Sequence, residues 1–441
     1  MAASVFDSPL YAHLFSTGDA GRLFSDTAAI RAMLLVEGAL AHAQAAQGII
    51  PELSARAIQR ATMEIQIDPG AIARSTGENG VSVPGLLAAF RTEMNAPEHA
   101  QYLHWGATSQ DIIDTGLMLR LRQLLLLAEA DLRAIIASLA AQAEQHARTP
   151  MAARTYGQHA TPTSWGAVVT DWGHALCDLM GALPALRTSS LLVSLSGAAG
   201  TSSALGPDAA ATRAALAQGL GLNDPARSWH VDRGPVLRIA DWLVQVSSVL
   251  SRMGATLVAL TGTEIVEVTL GAAGASSTMP QKQNPVGPSA LQALGHMATG
   301  LRAALGPATQ HMHQRDGAAW FAEWMVLPQI ALGTACSLQH ARALSAGMAP
   351  DAVRMAATLD GTLGLIHAEA LSFALAQHMP RPQAQAAAKA LCHAAQDSGT
   401  PLEVLARAAH PDLAADLFDP ARALGLAPQE ALGFVARARA L

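Results

Sequence analysis

Apolar residues recur at helical spacing, rather than in alternation, from residue 25 onward. The side chains of Ser25-Asp26-Thr27 can cap a helix that runs through Ile30 and Leu40 and ends at Gly48, with Pro51 beyond. From about Ile112 to Ala147 the spacing predicts one continuous helix of roughly 35 residues, about 50 Å long at 1.5 Å per residue. The other predicted helices cover residues 163–186, 236–261, 286–305, 322–346, 365–377, 382–395 and 428–440.

No strand alternation survives for more than a few residues, so the predicted fold class is all-α. We expect three helical domains: an N-terminal one over residues 1–105, a central long-helix bundle over 106–350, and a C-terminal one over 351–441. Two stretches interrupt the pattern. Residues 196–206 carry small and hydroxyl side chains typical of a loop, and residues 271–288 form a Gly/Ser-rich segment between two long apolar helices, a plausible closing loop.

The composition explains how such helices would be used. Of the 441 residues 51% are hydrophobic and only 4% aromatic, while charged residues make up 14%, against about 25% in typical soluble domains. Little of the sequence is suited to facing water, and subunit association is the simplest explanation. A membrane is the alternative, but the longest charge-free stretches, 187–208 and 282–302, contain Gly, Pro, Ser, Asn and His, so neither predicts a spanning helix.

Charge and cysteine content narrow the class further. The formal net charge is -6 and no Lys/Arg cluster alternates with aromatic residues, which argues against nucleic acid as a partner. Cys177, Cys336 and Cys392 are not spaced as metal ligands, and we predict neither a metal nor a cofactor. Asp7 interrupts the first apolar residues, so we expect no signal peptide and a cytoplasmic location. An anionic substrate would have to be held by a few placed cations.

The most specific motif runs from Gly274 to Pro285 and reads Gly-Ala-Ser-Ser-Thr-Met-Pro-Gln-Lys-Gln-Asn-Pro. It resembles the signature loop of the fumarase/aspartase superfamily, Gly-x-Ser-Ser-x-Met-Pro-x-Lys-x-Asn-Pro. A flexible linker is the alternative interpretation. The resemblance extends over nearly the whole chain and includes the Trp229-His230 pair with Arg233.

Two further segments resemble the same superfamily. The first segment, residues 104–111, resembles a region in which superfamily members bind a substrate carboxylate with a Thr-Ser pair. In this chain Thr108 and Ser109 could offer hydroxyls and backbone N–H groups where the long helix begins. The plain alternative is a helix cap. The second, residues 154–162, contains Gln158, His159 and Thr161, which by resemblance face substrate. A histidine at such a turn could instead be only a structural hydrogen-bonding group.

One departure from the pattern distinguishes branches of the superfamily. Most members have Thr-His where this chain has Thr155-Tyr156, and that histidine helps protonate or orient the leaving group. An amine or hydroxide leaves badly without a proton, whereas a carboxylate needs none. Tyr156 therefore favours a cycloisomerase branch whose leaving group is an internal carboxylate. Gln281 and Gln283 stand where the branch usually has His and Arg.

The resemblance implies β-elimination, or its reverse, next to a carboxylate of a small polycarboxylate substrate. Ser276 matches the catalytic serine, and His159 would orient a carboxylate or tune the charge of the site. Lys282 and Asn284 would stabilise the enediolate. Arg315 is a further candidate carboxylate partner, the alternative being a surface ion pair with Asp316.

The superfamily assembles such sites from three chains of a homotetramer, so we expect a homotetramer with active sites shared between chains. Two other functions stay open. One is a lyase that releases fumarate or an analogue from a substituted succinate of the adenylosuccinate, argininosuccinate or nitrosuccinate type. The other is a non-catalytic helical scaffold.

Overall fold

Long α-helices dominate the computed structural model, which describes residues 4–271, 274–275, 279 and 281–441. The helices are α1 (Asp26–Ala46), α2 (Glu52–Glu64), α3 (Pro69–Asn79), α4 (Val83–Met94), α5 (Pro97–Ala100), α6 (Ser109–Gln145), α7 (Trp165–Ser190), α8 (Ala209–Leu220), α9 (Gly234–Leu260), α10 (Val286–Ala304), α11 (Gly317–Gly347), α12 (Ala352–Asp360), α13 (Ala368–Leu375), α14 (Arg381–Ser398), α15 (Leu402–Ala409) and α16 (Ala427–Arg439). The strands are β1 (Pro150–Thr155), β2 (Gln158–Ser164), β3 (Val268–Thr269), β4 (Gly274–Ala275), β5 (Gln283–Asn284) and β6 (Ala349–Pro350).

The all-α prediction is confirmed, and helix ends fall close to where the sequence places them. The Ser25 hydroxyl accepts the Ala28 N–H at 3.2 Å and caps α1. The predicted 35-residue helix is α6, whose 37 residues begin at the polar run Ser109-Gln110-Asp111. The stretch 196–206 is a loop, apart from one 3-10 turn at Ser203–Leu205.

Several elements were not predicted from the sequence: the shorter helices α2–α5, α8, α12 and α15, and one hairpin. Residues 150–164 form an antiparallel hairpin of β1 and β2, where the alternation was too weak to predict strands. Its turn consists of Tyr156 and Gly157, with φ of 51° and 74°. Positive φ at both central residues is typical of the type I′ turn that fits the twist of a two-residue hairpin. The hairpin is therefore defined by its turn more than by hydrophobic alternation.

The chain divides into two compact units, which are described separately. Unit 1 comprises Met1–Ala130, Leu179–Ser248 and Leu294–Gln339; unit 2 comprises Asp131–Asp178, Val249–Ala293 and His340–Leu441. The division into three domains made from the sequence stays a prediction. In unit 1 the fully buried Ile58, Leu86 and Phe90 of α2 and α4 belong to the core. In unit 2, Ala152 of β1 packs with Leu359 and Ile366, which fixes the hairpin base.

Within the described part of the chain, α9 is the one helix long and apolar enough to cross a membrane by length and composition. A buried central helix of a globular protein meets the same criterion. Ile239, Leu243 and Leu250 of α9 are fully buried inside the protein. This helix is therefore weak evidence for a membrane span.

Candidate active site

The first motif forms the start of α6. Gly106 has φ of 71°, and a Cβ at this position would lie 2.7 Å from the Ala204 carbonyl oxygen, so the turn before the helix requires glycine. Thr108 and Ser109 are half-buried at the helix start. The Thr108 N–H donates to Asp111 Oδ2 at 3.1 Å, so the protein itself uses this N–H. The hydroxyls of both residues and the Ser109 N–H are the groups left for a ligand at this positive helix end.

Asp111 is the centre of a buried hydrogen-bond network in unit 1. It is fully buried and accepts the backbone N–H groups of Ser196 and Gly197, each at 2.9 Å, besides that of Thr108. Its Oδ1 also accepts the Ser194 hydroxyl at 3.0 Å and lies 2.8 Å from His230 Nε2. The carboxylate thus ties the start of α6 to the 194–197 segment.

The electrostatic state of Asp111 follows from these contacts. Burial alone would raise the pKa of this carboxyl, but the hydrogen bond and charge of His230 and the backbone N–H donors outweigh burial. The net result is a pKa below the ordinary value of 3.8. Asp111 is therefore ionised at neutral pH. It fixes the start of α6 through its hydrogen bonds and has no proton to donate.

A second buried network lies one helical turn further along α6. Arg233 makes two-pronged ion pairs with Asp114 at 2.7 and 3.0 Å and with Glu323 at 2.8 and 2.7 Å, and all three side chains are at least 99% buried. Burial opposes the charge on Arg233, but the two carboxylates raise its pKa. Burial raises the pKa of Glu323, against the attraction of Arg233. The three side chains hold α6, the start of α9 and α11 in one arrangement.

Gln110 connects this network to Arg315. Its amide nitrogen donates to Asp114 Oδ2 at 3.1 Å and to the His230 carbonyl at 2.9 Å, and its Oε1 accepts Arg315 Nε at 2.7 Å. Arg315 also donates to the Ala198 carbonyl at 3.2 Å and approaches the Thr108 hydroxyl at 3.5 Å. The guanidinium is thereby fixed beside the start of α6.

Arg315 does not form the ion pair with Asp316 that was the alternative interpretation. Asp316 instead accepts the N–H groups of Ala318 and Ala319 at 2.9 and 3.3 Å and caps α11. Among the described residues, the second terminal nitrogen of Arg315 has no hydrogen-bond acceptor. This half-buried guanidinium lies beside the two motif hydroxyls, a donor set that would suit a carboxylate. We call this group the carboxylate cradle (Thr108, Ser109, Arg315).

The second motif lies on the β1–β2 hairpin of unit 2. Tyr156, Gln158, His159 and Thr161 are all exposed in the single chain, and Tyr156 at the tip is 104% exposed. The His159 ring has no hydrogen-bond partner among the described residues. It faces a cavity of about 590 Å³ lined by the hairpin tip and by residues of the 362–366 turn and α14. Exposed polar side chains around an unpartnered imidazole are suited to contacting something outside this chain.

A buried ion pair anchors the hairpin at its base. Arg154 binds both oxygens of Glu267 at 2.8 and 2.9 Å, and the Glu267 side chain is fully buried. Glu267 directly precedes β3, and the Gly/Ser-rich segment that contains the third motif begins four residues later, at Gly271. The pair therefore links the second motif to the chain segment that enters the third.

The third motif is described only in part. Ser276, assigned above as the catalytic serine, lies outside the described residues, as do Ser277, Thr278 and Pro280. On the described sides, Gly274 pairs with Asn284 in a short antiparallel ladder. A Cβ at 274 would lie 2.6 Å from Val286 Cγ2, which explains the glycine. Lys282 is exposed and Asn284 half-buried.

The predicted site residues are divided between the two units. Thr108, Ser109 and Arg315 meet in unit 1, whereas the hairpin residues and Lys282 with Asn284 belong to unit 2. The described lining of the His159 cavity does not include Lys282. The roles of Asp111 and of its partner His230 were not predicted from the sequence, although both residues lie in segments that resemble the superfamily. Across the described ranges no group of three or more His, Cys, Asp or Glu side chains is arranged to hold a metal ion.

The all-α fold is that of the lyases of the fumarase/aspartase superfamily. The chain belongs to the lyase family, whose sequence profile matches residues 20–300. It is similar to the 3-carboxy-cis,cis-muconate cycloisomerase of Pseudomonas aeruginosa, with 40% identity over 313 residues that cover 70% of this chain and 68% of that protein.

Two other relatives place the chain within the family. The nitrosuccinate lyase of Streptomyces davaonensis is 35% identical over 338 residues, 74% of this chain and 71% of that protein. The crystal structure of the 3-carboxy-cis,cis-muconate lactonizing enzyme from Pseudomonas putida superimposes with a TM-score of 0.91 at 35% identity, covering 98% of this chain and 99% of that one. The fold is therefore shared over nearly the full length of the chain.

Proposed function

We propose that this chain is a 3-carboxy-cis,cis-muconate cycloisomerase that forms 4-carboxymuconolactone during the breakdown of aromatic compounds. The observation that carries the proposal is Tyr156 at the hairpin tip, where most of the superfamily has a histidine proton donor. A reaction whose leaving group in the reverse direction is a carboxylate needs no such donor. The similarity to cycloisomerases of this name supports the same choice.

The proposed reaction conserves all atoms of the substrate. One substrate carboxylate attacks the conjugated double bond and a C–O bond forms, which pushes the electron pair of that double bond toward the carbon next to a second carboxylate. The resulting enediolate takes up one proton at that carbon to give the lactone. The enzyme must therefore bind carboxylates, stabilise the enediolate charge and deliver one proton.

Each step has candidate residues. The carboxylate cradle would bind one substrate carboxylate, with Arg315 held in place by Gln110. Lys282 and Asn284 would stabilise the enediolate, and Ser276 would deliver the proton. His159 would orient a second carboxylate, while Tyr156, Gln158 and Thr161 of the hairpin would contact the substrate. If Ser276→Ala retained wild-type turnover with an unchanged circular dichroism spectrum, the assignment of the proton donor would be wrong.

The exposed hairpin residues support a site completed by other chains. We propose a cytoplasmic homotetramer in which each active site receives residues from several chains. Phe321 and Met325 lie four residues apart on α11 and are 39% and 65% exposed, which gives this helix an apolar stripe for another subunit. The three cysteines are free thiols, as in a reducing compartment. A monomer by light scattering at micromolar concentration would contradict the tetramer.

Nitrosuccinate lyase is the second candidate. Nitrite leaves without protonation, so Tyr156 is equally compatible with it, and the relative of this name is 35% identical. Adenylosuccinate and argininosuccinate release nitrogen leaving groups that need a proton, and position 156 lacks the histidine that supplies it in most of the superfamily.

An ultraviolet assay separates these functions. The enzyme is given 3-carboxy-cis,cis-muconate, nitrosuccinate, adenylosuccinate and argininosuccinate in parallel. We expect loss of diene absorbance with the first substrate and no fumarate from the other three. Fumarate from nitrosuccinate with an unchanged diene would move the assignment to the second candidate.

A further inference from the structure

A cavity of about 440 Å³ lies in unit 1, and none of its lining residues belongs to the three motifs. It is lined by α1, α2, α6 and the end of α8, and its walls include Leu35, Met63 and Leu119. Small-molecule sites occupy about 300–1,000 Å³ and combine apolar walls with a few polar groups. The cavity has the size and the apolar walls of such a site.

Three arginines line this cavity: Arg31, Arg120 and Arg122. Their hydrogen-bond partners are neutral. Arg31 donates to the Thr62 carbonyl and the Met63 sulfur, Arg120 to the Leu23 carbonyl at 3.4 Å, and Arg122 to the Leu220 carbonyl and the Gly221 carbonyl at 3.0 Å. Among the described residues, none of the three has a carboxylate within 4.0 Å. We call this the arginine cavity (Arg31, Arg120, Arg122).

Arg120 shows that positive charge is poorly compensated there. Its Nε is buried and has no hydrogen-bond partner among the described residues. Burial lowers the pKa of Arg120 to about 10, and the attraction of Asp26 offsets this only in part. By contrast, Arg233 in the same unit has two carboxylates and a raised pKa. An anion in the cavity would supply the negative charge that Arg120 lacks.

We propose that the arginine cavity binds a small carboxylate attached to a compact apolar body, of the size of benzoate. A carboxylate offers two oxygens that match the guanidinium fork, and the apolar body would pack on Leu35, Met63 and Leu119. Gln59, Thr62 and Gln123 also line the cavity and add polar groups. Inorganic phosphate satisfies guanidinium groups but leaves the apolar walls uncovered.

The arginine cavity is separate from the carboxylate cradle on the same helix. Arg120 follows Ser109 by eleven residues on α6, about 16 Å at 1.5 Å per residue. A ligand in the cavity would therefore bind without displacing substrate. This proposal does not depend on the proposed function, because binding is measured without turnover.

Isothermal titration calorimetry with benzoate tests the proposal. We expect saturable binding of benzoate to the wild-type protein, no binding of the neutral isostere benzamide, and weaker binding of inorganic phosphate. Benzamide binding as tightly as benzoate, phosphate binding more tightly, or no benzoate binding would overturn the proposal.

Four variants locate the binding. Arg120→Met and Arg122→Met should each weaken benzoate binding at least tenfold, with unchanged circular dichroism. Arg74→Met, which removes an arginine that is 91% exposed in the same unit, and Arg315→Gln at the carboxylate cradle should both bind benzoate like the wild type. If Arg120→Met does not fold, Arg122→Met alone decides. Loss of binding in Arg315→Gln, or retention in the folded cavity variants, would contradict the site.

Discussion

Replacing Asp111 with asparagine tests whether a buried carboxylate organises the candidate active site. Oδ2 of Asp111 accepts two backbone N–H groups, and Oδ1 faces two donors besides His230. Whichever oxygen becomes the amide nitrogen, at least two buried donors lose their acceptor. Each unsatisfied buried donor costs about 1–3 kcal/mol, and the lower desolvation of a neutral amide offsets part of this. We expect a loss of about 2–4 kcal/mol.

Urea denaturation at pH 7 and fixed protein concentration measures this loss. With an m-value of about 3 kcal/mol/M, the midpoint should fall by about 0.7–1.3 M. Glu52→Gln is the control, because Glu52 pairs with Arg56 on the surface, where both side chains are 72% exposed, and its midpoint should not move. An unchanged midpoint in Asp111→Asn would refute the reasoning.

The pH dependence gives a second check on Asp111. Its pKa in the folded protein lies below the ordinary value of 3.8, so ionised Asp111 stabilises the protein fully above that pH. The stabilisation disappears as the pH falls through the depressed folded pKa. The difference between wild type and Asp111→Asn should therefore stay constant from pH 7 to about pH 4 and narrow only below. If the difference in the free energy of unfolding between the two proteins already narrowed between pH 7 and 5, the Asp111 carboxylate would not be held ionised.

Three further predictions concern the cradle and the hairpin. Arg315→Gln should raise KM about tenfold or more in steady-state assays, because a carboxylate would lose its guanidinium partner. The melting temperature should stay within a few degrees, because the side chain is only half-buried. An unchanged KM would mean that Arg315 does not bind substrate. Arg154→Met should lower the free energy of unfolding by about 3–5 kcal/mol, since it leaves Glu267 buried and unpaired; the double variant Arg154→Met/Glu267→Gln should recover part of this in the same denaturation assay. Gly157→Ala should cost about 1–2 kcal/mol because φ is 74°, whereas Gly181→Ala in α7, with open space at its Cβ, should not destabilise.

The long helices could be predicted because their signals are local. Ser25 and the Thr108-Ser109 pair are capping signals for helices predicted from the sequence, and α1 and α6 begin at Asp26 and Ser109. The apolar spacing along each helix is also a local signal that needs no distant partner. The hairpin could not be predicted in the same way. Its second strand exposes Gln158, His159 and Thr161 in close succession, so the strand shows no alternating pattern.

The buried hydrogen-bond networks of the candidate site could not be predicted from the sequence either. Apart from the nearby Thr108 N–H, the partners of Asp111 are between 83 and 119 residues away, and those of Arg233 are between 90 and 119 residues away. Only the packing of separate helices decides which distant acid meets which base. The motif resemblance identified Thr108 and Ser109, and the chemistry of a guanidinium suggested Arg315. Only the structure shows that Arg315 lies beside the Thr108 hydroxyl, at 3.5 Å.

Because the turn at Tyr156-Gly157 has only two residues, an insertion or deletion there would change the pairing of the hairpin strands. Thr155 pairs directly with Gln158 and Arg154 with His159, so the turn sets the face that His159 occupies, before the register shifts between Arg154 and Ala152. One codon inserted at the tip would turn His159 to the opposite face, whereas a substitution at the tip changes one side chain only. Relatives can therefore diverge in chemistry at position 156 by point mutation, while insertions and deletions at this tip should be strongly counter-selected.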